Sequence, residues 1–183
     1  SILLGGQRFY LETQNSILIR SSEPKDVSGI QTLYLEAFET DEEATIFQEL
    51  RHSNLELISL VAEEECQIRG HILFSMVQHD PDSGLRITGL APMAVLPGWQ
   101  NQGIGSMLVQ KGLEACRRQK FEAVVVLGHP RFYPRFGFIP SVEFGIRSEY
   151  GVSPEVFMIL ELKPGVLSGS PGTVKYHEVF NRI

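Results

Sequence analysis

The chain has 183 residues, 43% apolar and 21% charged, enough to bury a core and short enough for one domain. A formal net charge of −6 at pH 7 argues against a nucleic-acid partner, which would call for a basic face. No apolar run approaches the roughly 20 residues of a membrane helix, and two distant cysteines, Cys66 and Cys116, fit reduced thiols of a cytoplasmic protein better than a disulfide framework.

Residues 1–15 read as an N-terminal extension and residues 16–183 as a single domain. Ser16–Arg20 is a short first strand, closed by polar residues and Pro24. Apolar positions Val27, Ile30, Leu33, Tyr34 and Ala37 recur at helical spacing. A second helix starts at Thr40, which stands in capping-box spacing with Glu43, and runs to about Leu50. Leu55–Ala62 and Gln67–Gln78 form an antiparallel hairpin across the acidic Glu63-Glu64-Glu65. The turn Asp80-Pro81-Asp82-Ser83-Gly84 leads into a long extended segment, Leu85–Leu96, where Pro92 removes a ladder donor and predicts a bulge.

A helix from about Gly103 to Arg118 carries an inner stripe of Ile104, Leu108, Gly112 and Ala115. The continuous apolar run Ala123–Leu127 is a strand buried on both faces. Val156–Leu162 is a further strand and Val174–Phe180 a weaker one. The fold class is therefore α/β with a mixed, mostly antiparallel sheet, a central parallel βαβ crossover and flanking helices.

The chemistry centres on Gln100-Asn101-Gln102-Gly103-Ile104-Gly105-Ser106. A glycine turn opening a helix presents unpaired N–H groups that can hold a phosphate, or it is simply a tight turn. A Walker loop is excluded because Ser106-Met107 follow Gly105 where Lys-Ser/Thr is needed, and a dinucleotide fingerprint because Leu108 replaces its third glycine.

Met93-Ala94-Val95-Leu96-Pro97 followed by this turn resembles motif A of the GNAT acyl-CoA N-acyltransferases. Gly128-His129-Pro130-Arg131-Phe132-Tyr133-Pro134-Arg135-Phe136-Gly137-Phe138 is similar to a segment of the YhbS-like branch of that family. The resemblance covers most of the chain and is most specific over Leu85–Pro140. It implies a GNAT-type fold and an acetyl-CoA cosubstrate. The pyrophosphate would rest on the turn, contributed by Asn101, Gln102, Gly103, Ile104, Gly105 and Ser106, with pantetheine along Met93, Ala94 and Val95. Asn101 departs from the arginine that many relatives carry, and His129-Pro130 replaces an asparagine often found after the central strand.

The resemblance further implies an N-acetyltransferase in which Tyr133 protonates the departing thiolate, a role that suits a phenol. The alternative for Tyr133 is packing among Phe132, Phe136 and Phe138. Glu36, His71 and His79 are candidates for the base, with a water chain as the other route. Arg131 and Arg135 read as solvated loop charge, with contact to coenzyme A as the alternative for either, and His129 as a turn residue, with a cofactor-side contact as its alternative. No metal is called for, the histidines and cysteines having no ligand spacing. The acceptor is an amine on a small molecule or a protein, bordered in the family layout by the C-terminal segment 163–183, and a homodimer is compatible with the resemblance. The competing function is a non-catalytic acyl-CoA sensor or scaffold; a different nucleotide-phosphate binder is a further alternative.

Overall fold

A computed structural model describes residues 16–182; the N-terminal extension lies outside them. Chain order is β1 (Leu18–Ser21), α1 (Val27–Ala37), α2 (Glu42–Arg51), β2 (Leu57–Glu64), β3 (Gln67–Met76), β4 (Gln78–Asp80), β5 (Ile87–Val95), α3 (Ile104–Arg118) and β6 (Ala123–Leu127). It continues with β7 (Ile139–Pro140), β8 (Ile146–Ser148), β9 (Phe157–Glu161) and β10 (Gly172–Lys175). Among the described residues, no helix is long and apolar enough to cross a membrane.

Seven strands form one sheet in the order β1-β2-β3-β5-β6-β9-β7. Its pairs are antiparallel except β5 with β6, which α3 connects as a crossover. The stripe of α3 buries Ile104, Leu108, Val109, Leu113 and Cys116 against Ile58, Leu60, Ile72 and Phe74 of β2 and β3. Alternate residues of the same strands, Val61 and Leu73, pack on α1 and α2 through Leu33, Tyr34, Phe47 and Leu50. Side chains of a strand alternate in direction, so α3 covers one face of the sheet and α1 with α2 the other. Cys116 belongs to this packing, fully buried, with its thiol pushed up to about 12 by desolvation.

The first helix is anchored electrostatically. The two terminal guanidinium nitrogens of Arg20 donate to Asp26, at 2.7 and 2.9 Å, and the Glu23 N–H donates to the same carboxylate at 2.7 Å. These contacts, led by the Arg20 hydrogen bond, hold the Asp26 carboxyl down to about 2.

Three sequence expectations change. The second helix is capped by Asp41, without a side-chain cap bond, so the Thr40–Glu43 box does not form. The long third strand breaks after Met76, and β4 leaves to build a second sheet, β4-β10-β8. The weak C-terminal strand stops at Lys175, and a 3-10 turn covers Glu178–Arg182. Its Val179 and Phe180 pack into the cluster beneath α1 and α2, which a strand at the sheet edge would not allow.

Candidate active site

The parallel strands β5 and β6 pair only at Ile87 with Ala123, Thr88 with Val124 and Gly89 with Val125. Beyond that point each stays bound to its outer neighbour, β3 or β9, while the two separate. The bulge expected from Pro92 is there: the register shifts so that Ala91 and Pro92 together face Leu73. Leu96 donates its N–H to Arg69 of the β3 side at 2.8 Å. Backbone groups alternate along a strand, so the N–H groups of Val95 and Met93 point the other way, into the gap.

A buried chain of hydrogen bonds fixes that bulge. The Pro92 carbonyl can only accept, so Tyr34 Oη donates to it at 3.1 Å. The Tyr34 oxygen then accepts from His71 Nδ1 at 2.6 Å, and His71 Nε2 accepts from Ser59 Oγ at 2.7 Å. Ser59 in turn accepts from Ser22 Oγ, also at 2.7 Å. With the Tyr34 proton given to Pro92, the chain closes with His71 as the neutral Nδ1–H tautomer. Burial pushes this imidazole down to about 3.

That assignment has a measurable consequence. With a folded value below the ordinary 6.5, the unfolded chain binds more protons between the two values, so stability falls as pH drops below about 6.5. From pH 7 to pH 5 the wild-type protein is expected to lose about 2 kcal/mol more unfolding free energy than His71→Gln does. Urea unfolding of both proteins at the two pH values measures the difference; equal losses would place His71 in contact with solvent.

The turn before α3 takes the shape its sequence invites. Asn101 has φ +60° and Gly103, at the cap position, φ +86°. Asparagine and glycine tolerate this left-handed region best, which gives a local reason for Asn101 where an arginine was the family expectation. The first helical bond runs from Met107 N–H to Gly103 O at 3.0 Å. The preceding N–H groups of Gly105 and Ser106 are therefore left over at the helix start, where the helix dipole is positive. Gln100 Nε2 donates to Val95 O at 3.0 Å and ties this turn to the end of β5.

A cleft of about 650 Å³ spans the gap and the turn. It brings together Met93, Ala94, Val95, Asn101, Gly103, Ile104, Gly105, Ser106 and Tyr133. Gln102 is outside the lining; its side chain turns back to Gly98 O at 3.4 Å. The sequence reading missed Ala37 and Phe38 at the end of α1, and also Trp99, Gln100, Gly128 and Phe132; His129 and Arg135 line the cleft as well. Arg135 lies 4.6 Å from the Phe132 ring centroid and stays beside the cleft, whereas Arg131 does not line it.

Tyr133 opens a 3-10 turn, Tyr133–Phe136, and is 8% exposed. Its ring sits edge-on to Phe132 and Phe138, with centroids at 5.0 and 5.7 Å. Gly128 makes room for it: a Cβ there would stand 2.4 Å from the ring. Packing and access to the cleft thus hold together, and desolvation pushes the phenol up to about 12. None of the three proposed bases reaches this place. Glu36 is exposed on a different cavity and His71 is sealed in its network. His79, on β4 rather than on β3, bonds Ser83 at 2.6 Å.

Comparison with known proteins places this arrangement. The pattern of the acetyltransferase (GNAT) family matches residues 26–138. The chain is 36% identical to the N-acetyltransferase YhbS of Escherichia coli strain K12 over 168 residues, 91% of this chain and all of the relative. The crystal structure of E. coli YhbS in complex with CoA superposes with a TM-score of 0.87 at 35% identity, covering 91% of this chain and 93% of that one. A GNAT family acetyltransferase from Brucella melitensis in complex with acetyl-CoA gives 0.74 at 31% identity, covering 91% and 99%. The chain belongs to the GNAT family of acetyltransferases.

Proposed function

We propose that this protein transfers an acetyl group from acetyl-CoA to an amine by direct attack, with Tyr133 as the acid that protonates the leaving thiolate. The observation that carries the reading is the single cleft joining the donor-rich start of α3, the opened edge of β5 and the buried Tyr133 phenol. The residues fit the cosubstrate: at Gly105 an added Cβ would meet only Phe132 and Val95, at 3.7 and 3.8 Å, so the glycine keeps open space over the helix start. The N–H groups of Gly105 and Ser106 would hold pyrophosphate, and Met93–Val95 would line the pantetheine arm. When bound, the thioester supplies the activated acyl group.

The chain's own residues supply the rest. An N–H of Met93 or Val95, aimed into the gap, stabilises the oxyanion; such donors are worth roughly 3–4 kcal/mol. Tyr133 donates the proton to sulfur. Among the described residues no carboxylate lines the cleft, so the amine's proton leaves to water through its open mouth. Cytoplasmic acetyl-CoA is the expected source of the acyl group.

Thiol release from acetyl-CoA, followed with and without a panel of primary amines, tests this reading. Acceptor-dependent release is expected. Binding of acetyl-CoA with no release for any amine would favour a sensor or scaffold instead. The pH profile adds a check. A phenol held near 12 stays protonated, so kcat is expected to show no alkaline fall up to about pH 10. A fall centred near pH 8 would remove Tyr133 from the acid role.

A further inference from the structure

A second cavity, of about 380 Å³, backs onto the same gap. Leu90 and Ala91 of β5, Leu127 at the end of β6, and Tyr150, Val152 and Tyr176 line it. Each strand serves both cavities: β6 ends with Leu127 in this one and is followed by Gly128 in the cleft, and β5 gives Ala91 to this one and, across the bulge, Met93 to the cleft. Leu127 follows the alternation of Ala123 and Val125, which pack with the second sheet and not with α3. The second cavity therefore opens from the opposite face of the sheet to the helix start that would hold the pyrophosphate.

Among the described residues, its lining contains no carboxylate and no basic side chain. Tyr150 and Tyr176 stack with centroids 6.0 Å apart, and Tyr176 stands edge-on to Phe180 at 5.5 Å. The Tyr150 hydroxyl is engaged by Asn181 at 2.9 Å. Glu149 lies outside the lining, exposed, with its carboxylate accepting the Tyr176 N–H at 2.9 Å. Leu127 remains 44% exposed, an apolar side chain left open to the space beside the gap.

We propose that this cavity binds the acceptor, and that the acceptor is a small primary amine carrying an apolar or aromatic group. The inference rests on the acetyltransferase reading and narrows it. An amine whose apolar body fills the aromatic wall would present its nitrogen at the gap, facing the thioester from the far side of the sheet. Acceptors with several ammonium or hydroxyl groups, such as polyamines and amino sugars, would lose water here with no carboxylate to receive them and only tyrosine hydroxyls as polar partners, the Tyr176 one being buried and unpartnered. A volume of about 380 Å³ suits one aromatic group with a short linker.

The test is acetyl transfer measured as kcat/KM for n-alkylamines from propyl to hexyl, 2-phenylethylamine, spermidine and glucosamine. The alkyl series is expected to rise about threefold to fourfold per methylene, with 2-phenylethylamine at least about a hundredfold above spermidine. Val152→Asp and Leu127→Asp, both at partly exposed positions, are expected to lower kcat/KM for 2-phenylethylamine at least about tenfold. Calorimetric affinity for coenzyme A should not change in either variant. A flat alkyl series, or a preference for spermidine or glucosamine, would overturn the proposal while leaving the transferase reading intact. Loss of coenzyme A binding in the wild-type protein would instead remove that reading, and this inference with it. A peptide beginning with phenylalanine that outcompetes 2-phenylethylamine would reassign the cavity to a protein terminus.

Discussion

Tyr133→Phe is expected to lower kcat at least about tenfold while leaving affinity for coenzyme A unchanged, within the range for loss of a general acid. The ring is held by Phe132, Phe138 and the bare face of Gly128, none of which contacts the hydroxyl through a hydrogen bond. Removing one oxygen therefore leaves the packing in place and isolates the chemistry. Gly128→Ala supplies the complementary change. Its Cβ would lie 2.4 Å from the Tyr133 ring, so the ring must shift although its phenol is retained. Turnover should fall in both variants; if neither changes kcat, the thiolate is protonated by another group.

Gly105→Leu is expected to weaken coenzyme A binding at least about a hundredfold, equivalent to about 2.7 kcal/mol. The Cβ itself is accommodated, with its nearest neighbours at 3.7 and 3.8 Å, and position 105 lies inside α3 with helical geometry available to any residue. What the leucine removes is the open space over the N–H groups of Gly105 and Ser106. Gly105→Ala, which adds only that tolerated Cβ, should cost far less. Equal affinities for wild type, alanine and leucine in calorimetry would mean that phosphate does not rest on this helix start.

Much of this was readable in the chain because the decisive patterns are local. The α3 stripe, the all-apolar run of β6 and the proline in β5 each state their surroundings within a few residues. The glycine turn likewise specifies its backbone, since Gly103 adopts a conformation that side chains resist. The second sheet was hidden because β4, β8 and β10 are three or four residues long, too short for a period to show. Phe38 and Trp99 reach the cleft from separate elements, a juxtaposition that only the tertiary fold creates.

His71 shows the limit most plainly. In sequence it is a histidine on a strand, available for proton transfer. In the structure its neighbours are Tyr34, 37 residues away, and Ser59, 12 away, and both ring nitrogens are committed. Its contribution is to hold the Tyr34 hydroxyl against the Pro92 carbonyl, and so to hold the bulge from which the Met93 and Val95 N–H groups project. No spacing rule in the sequence pairs residues so far apart.

Calorimetric titration of the wild-type protein with coenzyme A, repeated in excess ATP and in excess NAD, tests the central claim most directly. The account predicts saturable binding at one site per chain, unchanged by either competitor. No binding, or displacement by ATP or NAD, would contradict it: the cleft at the start of α3 would then be a turn or a different nucleotide's site.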